Sequence, residues 1–362
     1  MSDHCRNRQA GVALVMVLWT VMFLFVLVSN FASSMRVQAK IARNYVDQTR
    51  AYYLARSGIE LGAARIVERL DYAERHATRN LDRLPEDNFS RDEEQDEEQD
   101  EESEEQVALW HLDGAPNETE IDNATVIVYI TREESKIDLN TTNPALLRNL
   151  LNEWGLEGEA VDVVTDSIAD WRDADNLHRS NGAENDYYES LDPPYEAANS
   201  DFTSVEDLLR VRGIGPELLY KPQSIEQELE NDEKQAYEIR LIDCLTVFNP
   251  EGTIDVRYAS KPVLEALPFM SPALVNRLLE VREEVGREHF TEEDLRAAVG
   301  DDIYQGIKDF ITVGEERESG YFTIISEAEL DNGFILKIKS LENISMEGNS
   351  PAKIVQWIDW AT

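Results

Sequence analysis

This chain is poor in cysteine, histidine and positive charge, and each shortage removes a class of function. Of 362 residues two are cysteine and five histidine, and they form no thiolate cluster and no histidine pair spaced for metal-assisted hydrolysis. Lys and Arg number 34 against 73 Asp and Glu, and the formal net charge of −39 speaks against binding nucleic acid through its phosphates, which needs basic patches. The same excess suits divalent cations, basic partners or a salt-tolerant surface. A glycine-rich phosphate loop and a nucleophile elbow are missing too, so the sequence reads as non-enzymatic. The length suggests two or three units. Finally, no proline falls between Val12 and Leu70, so nothing there forbids a very long helix.

That stretch opens behind a short polar leader, Met1 to Gly11, which carries His4, Arg6 and Arg8. The run VALVMVLWTVMFLFVLV, Val12 to Val28, contains no charge and a single hydroxyl, Thr20. About 17 to 25 such residues span a bilayer as a helix, and a basic leader favours a cytoplasmic N-terminus. A secretory signal is cut after its apolar core; here the plausible cut lies before it, at Gly11–Val12, so the apolar segment stays. Taken alone, the segment fits a simple single-pass anchor equally well. Behind Ser33 the period changes. Val37, Ile41, Tyr45, Tyr52, Ala55, Ile59, Ala63, Ile66 and Leu70 recur as one face of a helix requires, with Arg36, Lys40, Arg43, Arg50 and Arg56 between them. At 1.5 Å per residue, Val12 to Leu70 would be one rod on the order of 90 Å long. Its first half would lie in lipid and its second would dock on a soluble domain.

The N-terminal AGVALVMVLWTVMFLF, the helical RAYYLARSGIEL, and DWRDAD, NGAENDYY and VEDLLRVRGI farther on resemble the type IV pilin-like superfamily and, within it, the GspK family of type II secretion minor pseudopilins. The resemblance covers nearly the whole chain apart from an acidic insert. It implies that a prepilin peptidase cuts after Gly11, leaving Val12 as a methylated N-terminus. Most pilin-like subunits then carry a glutamate at the fifth mature position, where this chain has Met16. A carboxylate inside an apolar bundle is costly without a partner charge. Met16 needs no such partner, which suits a subunit at the fibre tip; the alternative is one more lipid-facing residue. The implied function is to cap the tip of the periplasmic pseudopilus and initiate its assembly, supporting export of folded proteins across the outer membrane. The implied partners are the minor pseudopilins I and J, the major pseudopilin, the prepilin peptidase and the inner-membrane secretion platform. The implied location is the cell inner membrane, single-pass, with the C-terminal domain in the periplasm. The competing class is a single-pass membrane protein with a periplasmic calcium-dependent binding module, unrelated to any fibre.

The fold class expected is α+β, a long N-terminal helix packed on an antiparallel sheet with a mostly helical domain inserted between strands. Strands are expected at Val107–Leu112, Asn123–Thr131, Tyr321–Leu330, Gly333–Ile344 and Lys353–Trp360, with Asn332-Gly333 favouring a tight hairpin turn. The domains divide as leader 1–11, membrane half 12–35, helix-plus-sheet unit 36–139 with 314–362, and insertion 140–313. Residues 91–106, RDEEQDEEQDEESEEQ, repel one another, lack apolar anchors and are expected to be disordered. Cys5 lies in the leader, which leaves Cys244 as a small buried apolar residue rather than a reactive thiol.

Within the insertion, helices are expected from Asn143-Pro144 to Gly155 and from Gly158 to Trp171, and Thr203–Glu206 reads as a capping box. KIDLNTTNPALLRNLL is echoed by TIDVRYASKPVLEALP, so the insertion reads as two related helix-hairpin-helix-like halves. Gly213-Ile214-Gly215 also marks DNA-binding hairpins, with Arg210, Arg212 and Lys221 available to phosphate, but its surroundings are acidic. Tight interhelical turning is the better use of those glycines. Between the second and third helices, Asp170, Asp173, Asp175, Glu184, Asp186, Glu189, Asn199 and Asp201 crowd together. Such a density of hard oxygen donors points to Ca²⁺ rather than Zn²⁺, or else to a solvated acidic loop. It is no EF-hand: Leu177 stands at a ligand position and His178 at the required glycine. The family resemblance carries calcium ligation to Asp173, Asp175, Glu184, Asp186 and Asn199, with Asp170 as a helix-end cap. Paired acids can also hydrolyse glycosides, but nothing in the sequence supplies a sugar cleft.

Overall fold

A computed structural model describes residues 6–82, 110–228, 234–287, 289–313, 319–346 and 351–361. The acidic stretch 91–106, leader residues 1–5 and the expected strand residues 107–109 lie outside these. Helix α1 runs Arg6–Asp82 without a break, 77 residues, as the absence of proline allows. Every residue from Val12 to Val46 is exposed, and burial begins at Ala51. The docked face is therefore shorter than its periodicity. Val37, Ile41 and Tyr45 continue the stripe but are 57, 62 and 70% exposed.

After α1 come β1 (Asp113–Ile121) and β2 (Ala124–Arg132), then a one-turn 3-10 helix, Glu133–Ser135, and β3 (Ile137–Asp138). Next are α2 (Pro144–Glu153), α3 (Glu159–Arg172), α4 (Asn185–Tyr188), the 3-10 helix Val205–Arg210 and α5 (Pro216–Tyr220). A hairpin, β4 (Gln223–Glu228) and β5 (Lys234–Ile239), precedes β6 (Leu245–Thr246) and β7 (Ile254–Asp255). Then follow α6 (Lys261–Glu265), α7 (Pro272–Val285), α8 (Glu292–Val299), α9 (Asp301–Ile307) and β8 (Ile311–Thr312). The chain closes with β9 (Ser319–Glu329), β10 (Ile335–Ser345) and β11 (Ala352–Ala361).

One five-stranded antiparallel sheet forms in the order β1-β2-β9-β10-β11. The period-2 pattern of β2 sends Ala124, Val126, Val128 and Ile130 to the face covered by α1, where they meet Ala55, Ile59, Ala63 and Ile66. The approach is close. A Cβ on Gly58 would lie 2.2 Å from Ser326 Oγ and 2.7 Å from Val126 Cγ1. The first strand is Asp113–Ile121, not the segment ending at Leu112. Gly114 and Pro116 read as turn residues, but β1 is an edge strand, where a missing donor is tolerated. The register shifts between Asp113 and Pro116, a bulge with Gly114 at φ +89°. Asp122 and Asn123, at φ +51° and +56°, make the two-residue turn into β2. Asn332-Gly333 instead sits in a wider loop, closed by Leu330 N–H donating to Phe334 O at 3.0 Å.

A second apolar core, from Ile137 to Ile311, is built by the helices between β2 and β9. The sequence echo is geometric. β3 pairs in parallel with β6 and β7 with β8, so each half opens on Ile-Asp and closes on a Leu-Thr or Ile-Thr strand. Leu139 N–H donates to Thr246 O as Val256 N–H does to Thr312 O. Gly213 and Gly300, at φ +87° and +86°, turn the corresponding hairpins. The polar β4–β5 hairpin lies among the helices of this mostly helical unit. One expectation is corrected. The capping box of the 3-10 helix is Ser204–Asp207, with Ser204 N–H donating to the Asp207 carboxylate at 3.1 Å, one residue beyond the expected Thr203–Glu206.

A buried polar seam joins the two cores. Glu133 accepts from Lys136 Nζ at 2.5 Å, Thr246 Oγ1 at 2.5 Å and Thr323 Oγ1 at 2.7 Å. Arg132 lies against the rings of Tyr258 and Phe322, 5.0 and 5.1 Å from their centroids.

Candidate metal centre

Helix α3 carries its apolar positions Val161, Val164, Ile168 and Trp171 into the second core, which aims its last turn and the following loop at one spot. Arg172 fixes that end by donating to Leu139 O and Asn140 O, both at 2.6 Å. Asp170 is fully buried, and it is not a helix cap. Its carboxylate accepts from Arg179 N–H at 3.0 Å and from Arg179 Nη1 at 2.5 Å. The same guanidinium reaches Asp173 Oδ2 at 2.7 Å, so one arginine bridges two of the acids and folds the loop back.

Asp173, Asp175 and Glu184 are brought together, with a donor atom of each within 4.8 Å of the others. Glu184 is 1% exposed, yet neither of its carboxylate oxygens has a hydrogen-bond partner, and Asp173 Oδ1 has none either. Burial first, then the charges of Asp170, Asp173, Asp175 and Asp186, push the Glu184 carboxyl up to about 7. Asn199 stands in the left-handed region at φ +46°, and its Oδ1 is also buried and unpartnered. Its Nδ2 donates to Asn176 Oδ1 at 3.3 Å, which also receives Asn185 Nδ2 at 3.1 Å. Asn176 thus ties the three strands of the loop together. Asp186 is not in the cluster; it is exposed and accepts from Tyr187 N–H at 2.9 Å.

Sequence reasoning passed over Asp166, Asn176, Arg179 and Asn185. Only the general Asp and Asn richness of the loop signals them. Asp166 accepts from Asn181 N–H and Nδ2 at 3.1 and 3.2 Å, pinning the turn before Glu184. Beneath lies an aromatic floor. Tyr188 stacks on Tyr195 at 5.3 Å and meets the edge of Trp171 at 5.1 Å. Arg210 covers Trp171 and Tyr195 at 5.2 and 5.3 Å, and Arg212 covers Tyr187 at 4.9 Å. The two arginines weighed for phosphate are thus engaged on rings.

A buried carboxylate with two unpartnered oxygens, beside other acids, is a costly arrangement unless a cation joins it. All the donors are hard oxygens, with no imidazole or thiolate among the three clustered acids, which matches Ca²⁺ better than a transition metal. The residues therefore fit the ion their family resemblance implies.

The long helix docked on an antiparallel sheet, with a mostly helical unit between β2 and β9, is the α+β architecture the sequence leads one to expect. Within that class the chain is similar to type II secretion system protein K, whose family model matches residues 127–223. Named relatives are protein K of Pectobacterium carotovorum, 32% identical over 30% of this chain and 34% of that protein, and of Aeromonas hydrophila, 27% identical over 59% and 61%. Protein K of Pseudomonas aeruginosa is 23% identical over 98% of both chains. The matched part thus spans about a third of the first relative and three fifths of the second. A chain of the GspK–GspI–GspJ complex from the type 2 secretion system of enterotoxigenic Escherichia coli is 17% identical with a TM-score of 0.49, covering 75% of this chain and all of that one.

Proposed function

We propose that this chain is a minor pseudopilin of a type II secretion system. It caps the tip of the periplasmic pseudopilus, initiates its assembly and thereby supports export of folded proteins across the outer membrane. The observation that carries the reading is the division of α1: an apolar half left exposed by the described residues, long enough to cross a bilayer, and a second half locked to the sheet. Its proposed partners are minor pseudopilins I and J, the major pseudopilin, the prepilin peptidase acting at Gly11–Val12 and the inner-membrane platform. The role is structural. Met16, 65% exposed in the apolar half, brings no carboxylate into a bundle of such helices, which supports a place at the fibre end. The test is Gly11→Ala in the secreting cell: unprocessed chain and loss of exoprotein export are expected, and normal export would overturn the reading.

Ca²⁺ belongs to the same proposal. Asp173, Asp175 and Glu184 hold it, with Asn199 Oδ1 as a further donor. When bound, the ion supplies the positive charge that the buried carboxylates lack. Arg179, Asn176 and the aromatic floor hold the loop in place around those donors. Calcium is then a structural clamp on the end of α3 and the loop that follows.

A further inference from the structure

We infer that the stretch of α1 just beyond the apolar run, Arg36 to Arg43, is a binding site for anionic phospholipid headgroups; the inference rests on the membrane-anchor reading above. At about 100° per residue, Arg36, Lys40 and Arg43 fall within roughly 60° of one another, so the three cations share one face over about 10 Å of axis. All three are exposed. Arg36 Nε donates only to its own helix, to Ala32 O at 3.3 Å, and among the described residues none of the three has an ion-pair partner. The same face continues to Asp47 and Arg50, but those are engaged. Asp47 accepts from Asn332 Nδ2 at 2.8 Å, and Arg50 donates to Asp122 O at 2.6 Å. The lower end of the stripe is thus clipped to two loop tips of the sheet, and the upper end faces outward.

Three observations identify the occupant. The first is position: a hydrocarbon core of about 30 Å takes roughly twenty residues, so a span starting at Val12 ends near Phe31. Arg36 then lies about 7 Å beyond it, at headgroup level, and the long stems of Lys40 and Arg43 can bend back toward the same layer. The second is charge. No acidic residue occurs from Val12 to Val46 in a chain of net charge −39, so this is a local cationic collar on an acidic protein. The third is chemistry: at headgroup depth lipid phosphate is the anion on offer to a row of cations, whichever side of the membrane they lie on. A phosphatidylglycerol-type headgroup, with its uncompensated phosphate, fits; a zwitterionic one offers no net charge.

The experiment uses the full-length chain in phosphatidylcholine vesicles containing a minor fraction of spin-labelled phosphatidylglycerol or spin-labelled phosphatidylcholine. The readout is the fraction of each label immobilised at the protein. Phosphatidylglycerol should be preferred by about fivefold or more, the effect of even one cation held at an anionic surface. The preference should fall to near unity in Arg36→Gln/Lys40→Gln/Arg43→Gln and at high salt. Equal association of the two lipids, or a preference unchanged by the triple substitution, overturns the proposal and leaves the anchor intact. No immobilised fraction for either lipid overturns the anchor reading, and this inference with it.

Discussion

Replacing Glu184 by Gln should change the stability of this protein in opposite directions with and without calcium. The folded carboxyl is pushed up to about 7 from an ordinary value of 4.5. A raised carboxyl means that ionisation is resisted by the fold: the penalty is absent below the ordinary value and complete above about pH 7. One pKa unit corresponds to about 1.36 kcal/mol, so without metal the ionised side chain costs on the order of 3 kcal/mol at mildly alkaline pH. Gln keeps the shape, carries no charge and offers an amide donor to Asp173. In chelator at about pH 8, Glu184→Gln should therefore melt above the parent chain by on the order of 5–10 °C. With millimolar calcium the order should reverse, because the parent gains the ion and the variant loses a ligand. The assay is a thermal melt of the full chain in detergent, with each condition run on both proteins. A variant that melts below the parent in both conditions would make Glu184 an ordinary packing residue and not a calcium ligand.

Gly58→Ala should destabilise by about 1–3 kcal/mol through overpacking, read as a lower denaturant midpoint. Ser326→Gly in the same chain should recover part of the loss, since Ser326 Oγ is the nearest obstacle and Val126 Cγ1 remains. Lys136→Met should cost about 3–5 kcal/mol, because it strands a buried carboxylate. Burial by itself would raise the Glu133 carboxyl, but Lys136, Thr246 and Thr323 outweigh it and hold it below the ordinary value. The stability the seam contributes is therefore present above that value and lost as pH falls through the lowered one. Lys136→Met should make acid unfolding begin at a higher pH, measurable by circular dichroism against pH.

Much of this architecture is legible from the chain alone because its signals are long. A proline-free stretch with a change of period announces the helix, and alternating β-branched residues announce β2, β9, β10 and β11. What escapes is set by context. Periodicity shows which face of α1 is apolar but not how far the sheet reaches along it, so Tyr45 and Ala51 look alike until the sheet is placed. Strand β1 hides because Gly114 and Pro116 are turn residues that an edge strand tolerates. The hairpin β4–β5 hides because QSIEQE and KQAYEI have little apolar content to alternate. At the metal centre the acids are conspicuous, but which of them converge depends on long-range partners. Arg179 draws Asp170 inward, and Asn176 gathers loop residues up to 23 positions apart. Asp186, two residues from Glu184, stays outside the cluster, a distinction that no spacing rule makes.

A pseudopilin of this kind must begin its mature helix at Val12. Intact-mass and N-terminal sequence analysis of the protein from a cell with an active prepilin peptidase tests it directly. The expected chain starts at Val12, with one methyl group on its amine and Cys5 absent. A chain starting at Met1 or Ser2, with the leader retained, would contradict it and leave a single-pass anchored protein with a calcium-clamped domain.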